Sequence, residues 1–214
     1  MSETTKRNYA GISKPERIAR RRIALIEAAM QLSDEVGWRN VTVEGLCLKA
    51  KLNKRYFYEN FTDLDSVSCA VVDHVTDEVL AKMATTVVYV GQPVAELAKV
   101  TIDTFVRFMT EIPCRAKLIF GDLIMSDRIT EHRKKLVKGI VSEIMRHARE
   151  IHHAQHEQDP IIETTAIFLL GGTGQAILYW LDAKDKPSIE KLISDLTALW
   201  LITGNGIVAY ARGQ

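Results

Sequence analysis

T-V-E-G-L-C-L-K-A-K-L-N-K-R-Y-F-Y-E-N-F, residues 42–61, decides how the rest of the chain is read. It parses as two short helices around a tight break. Thr42 suits an N-cap, and Leu46 and Ala50 fall on one face at i, i+4. Asn53 is a second N-cap, with Leu52 in the turn before it. Beyond Asn53 the side chains sort by direction: Phe57 and Phe61, four apart, are expected to face a core. Lys54, Arg55, Tyr56, Tyr58 and Asn60 are expected to project outward. A short helix offering two adjacent cations and two tyrosines suits an anionic partner, and a helix-turn-helix lays such a helix in the DNA major groove. An ordinary amphipathic hairpin with a solvated basic face is the alternative.

Residues outward from this stretch add to the reading. Ser13-Lys14-Pro15-Glu16 is a capping box with proline in the first turn. It opens a helix to about Val36, with an apolar stripe of Leu25, Ala28, Ala29, Leu32 and Val36, and Gly37 as its stop. Arg17, Arg20, Arg21 and Arg22 crowd the first turns, where positive charge opposes the helix dipole. They fit sequence-independent phosphate contact, or a merely solvated charge run. Residues 1–61 hold 12 Lys/Arg against 7 Asp/Glu, net +5, which leaves −4 of the chain's +1 for residues 62–214. A basic head on an acidic body fits a head that meets phosphate.

The order of a long basic-headed helix, Gly37-Trp38, Thr42, Ala50, Asn53, Tyr58 and Phe61 resembles the DNA-binding domain of tetracycline-repressor-type (TetR family) transcriptional regulators. Ala50-Lys51-Leu52-Asn53 stands at the family's Ala-Gly-Val-Ser turn, and Tyr58-Glu59-Asn60-Phe61 keeps its Tyr-x-x-Phe ending. Lys51 replaces the turn glycine, so the bend has to form without the residue most tolerant of positive φ. Leu64 stands where the family's phosphate-binding lysine is usual. The resemblance covers about residues 20–70. It implies that Lys54, Arg55 and Tyr56 reach base edges, that Thr42, Tyr58 and Asn60 bind phosphates and set register, and that Arg20, Arg21 and Arg22 supply salt-sensitive affinity.

The remainder reads as helices only, about nine in all, with no alternating strand pattern. A long helix 4 follows a cap at Thr62 or Asp63 and is expected to reach about Val90, before Gly91-Gln92-Pro93 breaks the pattern. The expected division is 1–62, a helix-turn-helix domain with a polar arm at 1–12, and 63–214, a helical ligand-binding and dimerisation domain. Helix 6 is expected from Pro113 through Met125, and helix 7 from about Ile129 to His153. Helix 8 spans about Pro160 to Leu181 and helix 9 runs from Ser188 to about Ala211. Both are apolar beyond one stripe, so both of their sides need cover, the second by another copy of the chain. Gly171, Gly172 and Gly174 suggest close helix approach there. A two-fold dimer would read a palindrome with half-sites about 34 Å, or a multiple, apart.

The family's body usually holds a small-molecule pocket. The lining candidates are Phe105, Phe108, Met109, Phe120, Ile124, Met145, Phe168 and Tyr179, a set short of charge that points to a lipophilic effector; plain core is the alternative. His147, His152, His153 and His156 form a second candidate cluster, His152 and His156 being i, i+4. This leaves open a dimeric small-molecule-binding or metal-sensing protein, although no cysteine supports a metal, and no metal or cofactor is expected.

Neither G-x-S-x-G, nor H-E-x-x-H, nor a glycine-rich phosphate loop after a strand is present, so no catalytic residue is assigned. Cys47, Cys69 and Cys114 lack metal spacing and read as small apolar residues in a reducing compartment. The N-terminus lacks an apolar h-region. No apolar run approaches the ~20 residues of a membrane span. A cytoplasmic, homodimeric, effector-released repressor of a palindromic DNA operator, without membrane contact, is the expectation.

Overall fold

The computed structural model describes residues 13–86, 93–121, 126–152 and 160–212, of which 143–152, 160, 208, 211 and 212 are described in backbone only. Among the described residues the architecture is all-helical: α1 Lys14–Val36, a single 3-10 turn Trp38–Asn40, α2 Val43–Lys49, α3 Lys54–Tyr58, α4 Leu64–Thr86, α5 Val94–Glu111, α6 Pro113–Phe120, α7 Asp127–His152, α8 Pro160–Asp182 and α9 Ile189–Arg212. The chain forms two compact units, Met1–Val71 and Val72–Gln214, and the division falls inside α4.

In the first unit, caps set the helix ends where the sequence placed them. Ser13 N–H donates to Glu16 Oε2 at 2.7 Å, while Ser13 Oγ accepts from Glu16 N–H at 3.4 Å. Gly37 ends α1 at φ 77°. Thr42 Oγ1 accepts from Gly45 N–H at 3.0 Å, and Asn53 Oδ1 from Tyr56 N–H at 3.2 Å. The break between α2 and α3 is a Schellman turn. Leu52 N–H reaches Cys47 O at 2.9 Å and Lys51 N–H reaches Leu48 O at 3.1 Å. Lys51 itself takes the left-handed conformation, φ 54°, at the position where glycine is free of strain. Asp63 and Ser66 cap α4 reciprocally, Asp63 Oδ1 accepting from Ser66 N–H at 2.7 Å. Leu25, Ala29, Leu46, Phe57 and Val67 are wholly buried at the centre of this unit.

In the second unit α5 packs on α9, and α8 lies against α6, α7 and α9. Val106, Cys114, Leu118, Ile129 and Ile177 are fully buried. Helix α6 is shorter than its apolar run suggested: it stops at Phe120, and 122–125, including Leu123, Ile124 and Met125, lie outside the described residues. The Arg133 guanidinium of α7 donates to the carbonyls of Gly121 and Ile119, placing positive charge on the C-terminal end of α6.

Glycine usage along α8 divides in two. A Cβ on Gly174 would lie 2.2 Å from the Phe120 ring, so the close approach it allows is to α6 of the same chain, whereas Cβ atoms on Gly171 and Gly172 would meet nothing within 4 Å. The expectation about membrane spans needs correction. Residues Ile161–Asp182 of α8 are long and apolar enough to cross a membrane by length and composition, with mean hydropathy 1.4. Glu163, Thr164-Thr165, the Gly171–Gly174 stretch and Gln175 interrupt the run without lowering its mean below that level.

Candidate nucleic-acid interface

Helix α3 is a single capped turn and a half; Phe57 on its inner side and Phe61 just past its end are buried as expected. Their rings lie 6.0 Å apart. On the outer side Lys54, Arg55 and Tyr58 are exposed. Tyr56 and Asn60 are not, which corrects the expectation that all five project outward. The Arg21 guanidinium of α1 stacks 3.6 Å over the Tyr56 ring. The Asn60 side-chain amide donates to Tyr56 O at 2.8 Å, and its Oδ1 is buried without a hydrogen-bond partner. Both side chains therefore serve the end of α3 before they serve any partner.

The arginines of α1 likewise have internal work. Arg22 Nη1 donates to Asn60 O at 3.1 Å, and its guanidinium sits 4.4 Å over Phe61. Arg21 Nη1 donates to Glu59 Oε2 at 3.3 Å. Arg20 is exposed on the same helix. Thr42 is exposed at the start of α2 with its hydroxyl committed to the cap. Lys54 pairs with Glu44 at 3.4 Å, both ends well exposed. Arg55 Nε donates to Glu59 Oε1 at 3.1 Å, with the Arg55 side chain 82% exposed.

Glu59 is the residue that sequence reasoning passed over. Its i, i+4 spacing from Arg55 was a local signal, but its pairing with Arg21, 38 positions away, left none. Beneath this surface, burial pushes the Cys47 thiol above its usual range, which suits an inert packed sulfur rather than a nucleophile.

In the body, two of the eight predicted lining residues meet. Phe105 and Phe120 meet edge to face at 6.2 Å, with Phe108 and Met109 buried on the same helix as Phe105. Charge lies over Phe108: the Arg115 guanidinium is 3.9 Å from its ring centre and Lys82 Nζ 5.7 Å. Arg115 also joins Glu78 at 3.2 Å and the Phe108 carbonyl at 3.1 Å. Phe168 and Tyr179 do not join this set. They are 69% and 81% exposed; α8 is apolar on most sides, so its sequence pattern carries no sign of which side faces in.

Ile124 lies outside the described residues, and Met145 is described in backbone only. The same holds for the histidines: His147 and His152 are described in backbone only, and His153 and His156 lie outside the described residues. Among the described residues no three His, Cys, Asp or Glu side chains converge as a metal site. An open cleft of about 590 Å³ is lined by Lys82, Arg107, Thr110, Glu111, Trp180 and Ile189, none of them a predicted lining residue.

Phe168, Gly171, Gly172, Gln175 and Tyr179 recur at helical spacing along the exposed side of α8, as do Leu199, Ile202, Gly206 and Tyr210 along α9. These positions give α8 and α9, which pack on each other, several exposed apolar side chains.

No family model and no curated protein matches the sequence. Solved structures do match the fold. The fatty acid degradation regulator FadR from Bacillus halodurans is 15% identical at a TM-score of 0.69, over 84% of this chain and 93% of that one. The fold is that of the TetR-family regulators. A transcriptional regulator of the TetR/AcrR family from Thermobifida fusca matches at 20% identity and TM-score 0.62, covering 87% of this chain and 98% of its own. A TetR-like transcriptional regulator from Rhodococcus sp. RHA1 matches at 15% identity and TM-score 0.65, over 92% and 98% of the two chains. Within the TetR fold, the stretch 42–61 that resembled the family's helix-turn-helix is the helix–turn–helix α2–α3.

Proposed function

We propose that this chain is a dimeric, effector-responsive DNA-binding transcriptional regulator that represses by occupying a palindromic operator. The observation that carries the reading is the outer side of α3, where Lys54, Arg55 and Tyr58 are exposed on a capped helix seated by Phe57 and Phe61. Arg55 and Lys54 are the base-reading groups, because arginine or lysine on guanine O6/N7 is the commonest specific contact. Tyr58, Thr42 and the exposed Arg20 lie against the backbone, with Arg21 and Arg22 adding positive potential while bracing α3. Tyr56 and Asn60 take part through the shape they give the end of α3.

A second copy covers the apolar face of α8 and α9. Support comes from the open space at Gly171 and Gly172, which lets another backbone approach, and from the exposed Phe168, Tyr179, Ile202 and Leu199. Two heads on one dimer suit two half-sites of a palindrome. The effector is lipophilic: Val141, Ala166 and Leu170, with Phe120, Val137 and Ile140 against them, form an all-apolar cluster in the body, and one structure of this fold belongs to a fatty acid degradation regulator. Effector binding acts through α4, which belongs to both units, and by linkage the operator weakens effector binding by the same factor.

Selection of bound sequences from a random duplex pool tests the reading. The expected result is an inverted repeat whose affinity falls steeply with salt, and Arg55→Ala should cost about 1–3 kcal/mol and relax preference at one position of each half-site. Recovery of no common sequence, with affinity insensitive to salt, would contradict it.

A further inference from the structure

We propose that Glu59 is a specificity-determining positioning residue of the α3 reader: its carboxylate, shared between Arg21 of α1 and Arg55 of α3, aims Arg55 and trades DNA affinity for base discrimination. The proposal rests on the DNA-binding reading above. A glutamate at the C-cap of a DNA-facing helix gains nothing locally beyond its i, i+4 pair with Arg55. It sits at the negative end of the helix, and it repels the phosphates that its neighbours attract. Its contacts supply the reason. One oxygen accepts from Arg21 Nη1 at 3.3 Å and the other from Arg55 Nε at 3.1 Å. Arg21 is itself pinned by its stack on Tyr56. The Glu59 carboxylate is therefore anchored to α1, with only about a third of its side chain exposed, while the Arg55 side chain remains 82% exposed.

Holding Arg55 by Nε leaves its two terminal amino groups outside that pair, on a side chain that is 82% exposed. A planar fork fixed in direction is what bidentate recognition of guanine requires, and a guanidinium free to swing would settle on any phosphate. Lys54 offers the contrast, since its pair with Glu44 is exposed at both ends and spans 3.4 Å, so nothing buried aims it.

The test begins with the operator selected by the intact wild-type chain. Affinities of wild type, Glu59→Gln, Arg55→Ala and the double variant are then measured on that operator and on a scrambled duplex across a salt series. Removing the carboxylate should tighten the scrambled duplex several-fold, with a steeper salt slope, because one more positive charge is unpaired. The operator should gain nothing, so the operator-to-scrambled ratio falls about tenfold. Reselection with Glu59→Gln should lose preference at the base pair that Arg55→Ala loses, and in the Arg55→Ala background Glu59→Gln should shift both duplexes equally.

Equal shifts on both duplexes in the otherwise wild-type chain, or an unchanged base preference after reselection, would overturn the proposal. If Glu59→Gln lowers the melting temperature of the head, Arg55→Lys decides instead. It keeps the charge without the fork, and retention of the wild-type base preference by Arg55→Lys would overturn the proposal. Failure of the wild-type chain to select any sequence is a different result, and it removes the DNA-binding reading itself.

Discussion

The surface of α1–α3 and the outer face of α8–α9 are opposite solutions to being exposed. Around α3 nearly every charge is answered within its own unit: Lys54 by Glu44, Arg55 and Arg21 by Glu59, Arg22 by the Asn60 carbonyl. Among the described residues of α8 and α9, the large apolar Phe168, Tyr179, Leu199 and Ile202 are exposed. A polar surface can wait for a transient partner at little cost, since exposed ion pairs contribute at most about 1 kcal/mol each and exchange readily for phosphate. Large apolar side chains are costly to leave wet. On the function proposed above, the first surface suits a contact that forms and breaks, and the second suits one that persists.

The largest effect that can break this comparison is loss of the seat beneath α3. Phe57 is fully buried, so Phe57→Ala should destabilise the head by about 3–5 kcal/mol in chemical denaturation. A small change would mean that α3 is held by its surface ion pairs instead. On the other surface, Ile202→Glu puts a charge into the face assigned to the second copy. Self-association read by sedimentation equilibrium should weaken by more than a hundredfold, about 3 kcal/mol. Unaltered association would place the interface elsewhere.

Alanine at two glycines of α8 sharpens the contrast. Gly174→Ala drives a methyl into the Phe120 ring and should cost about 1–3 kcal/mol of unfolding free energy at any protein concentration. Gly171→Ala meets open space within its chain and gains up to about 1 kcal/mol of helix propensity. Its penalty should appear only as weaker self-association. The smallest effect is at the α2–α3 turn. Lys51→Gly relieves a left-handed residue and should stabilise the head by roughly 0.5–1 kcal/mol in the same denaturation experiment.

The two regions also differ in how far their residues could be read without coordinates. Local chemistry was legible throughout the head: Ser13, Thr42 and Asn53 cap by contacts within three residues, and Phe57 and Phe61 share a side because they lie four apart. What escaped was long-range. The pairings of Arg21 with Tyr56 and Glu59 join positions more than 30 apart, so Tyr56 read as free, and Glu59 did not register.

In the body the difficulty was one of orientation. A helix apolar on most sides carries no period that says which side faces in, so Phe168 and Tyr179 were grouped with Phe105 and Phe120 although they stand on the surface. Gly174 shared its pattern with Gly171 and Gly172, and only the position of Phe120 separates a glycine needed inside the chain from two that are open.

Sedimentation of the intact chain with a duplex recovered by selection puts these surfaces to work in one measurement. Two chains, already paired before DNA is added, are expected on each duplex carrying an inverted repeat, with the complex dissociating as salt rises. Single chains at every concentration, or a single chain bound per duplex regardless of its symmetry, would contradict this expectation.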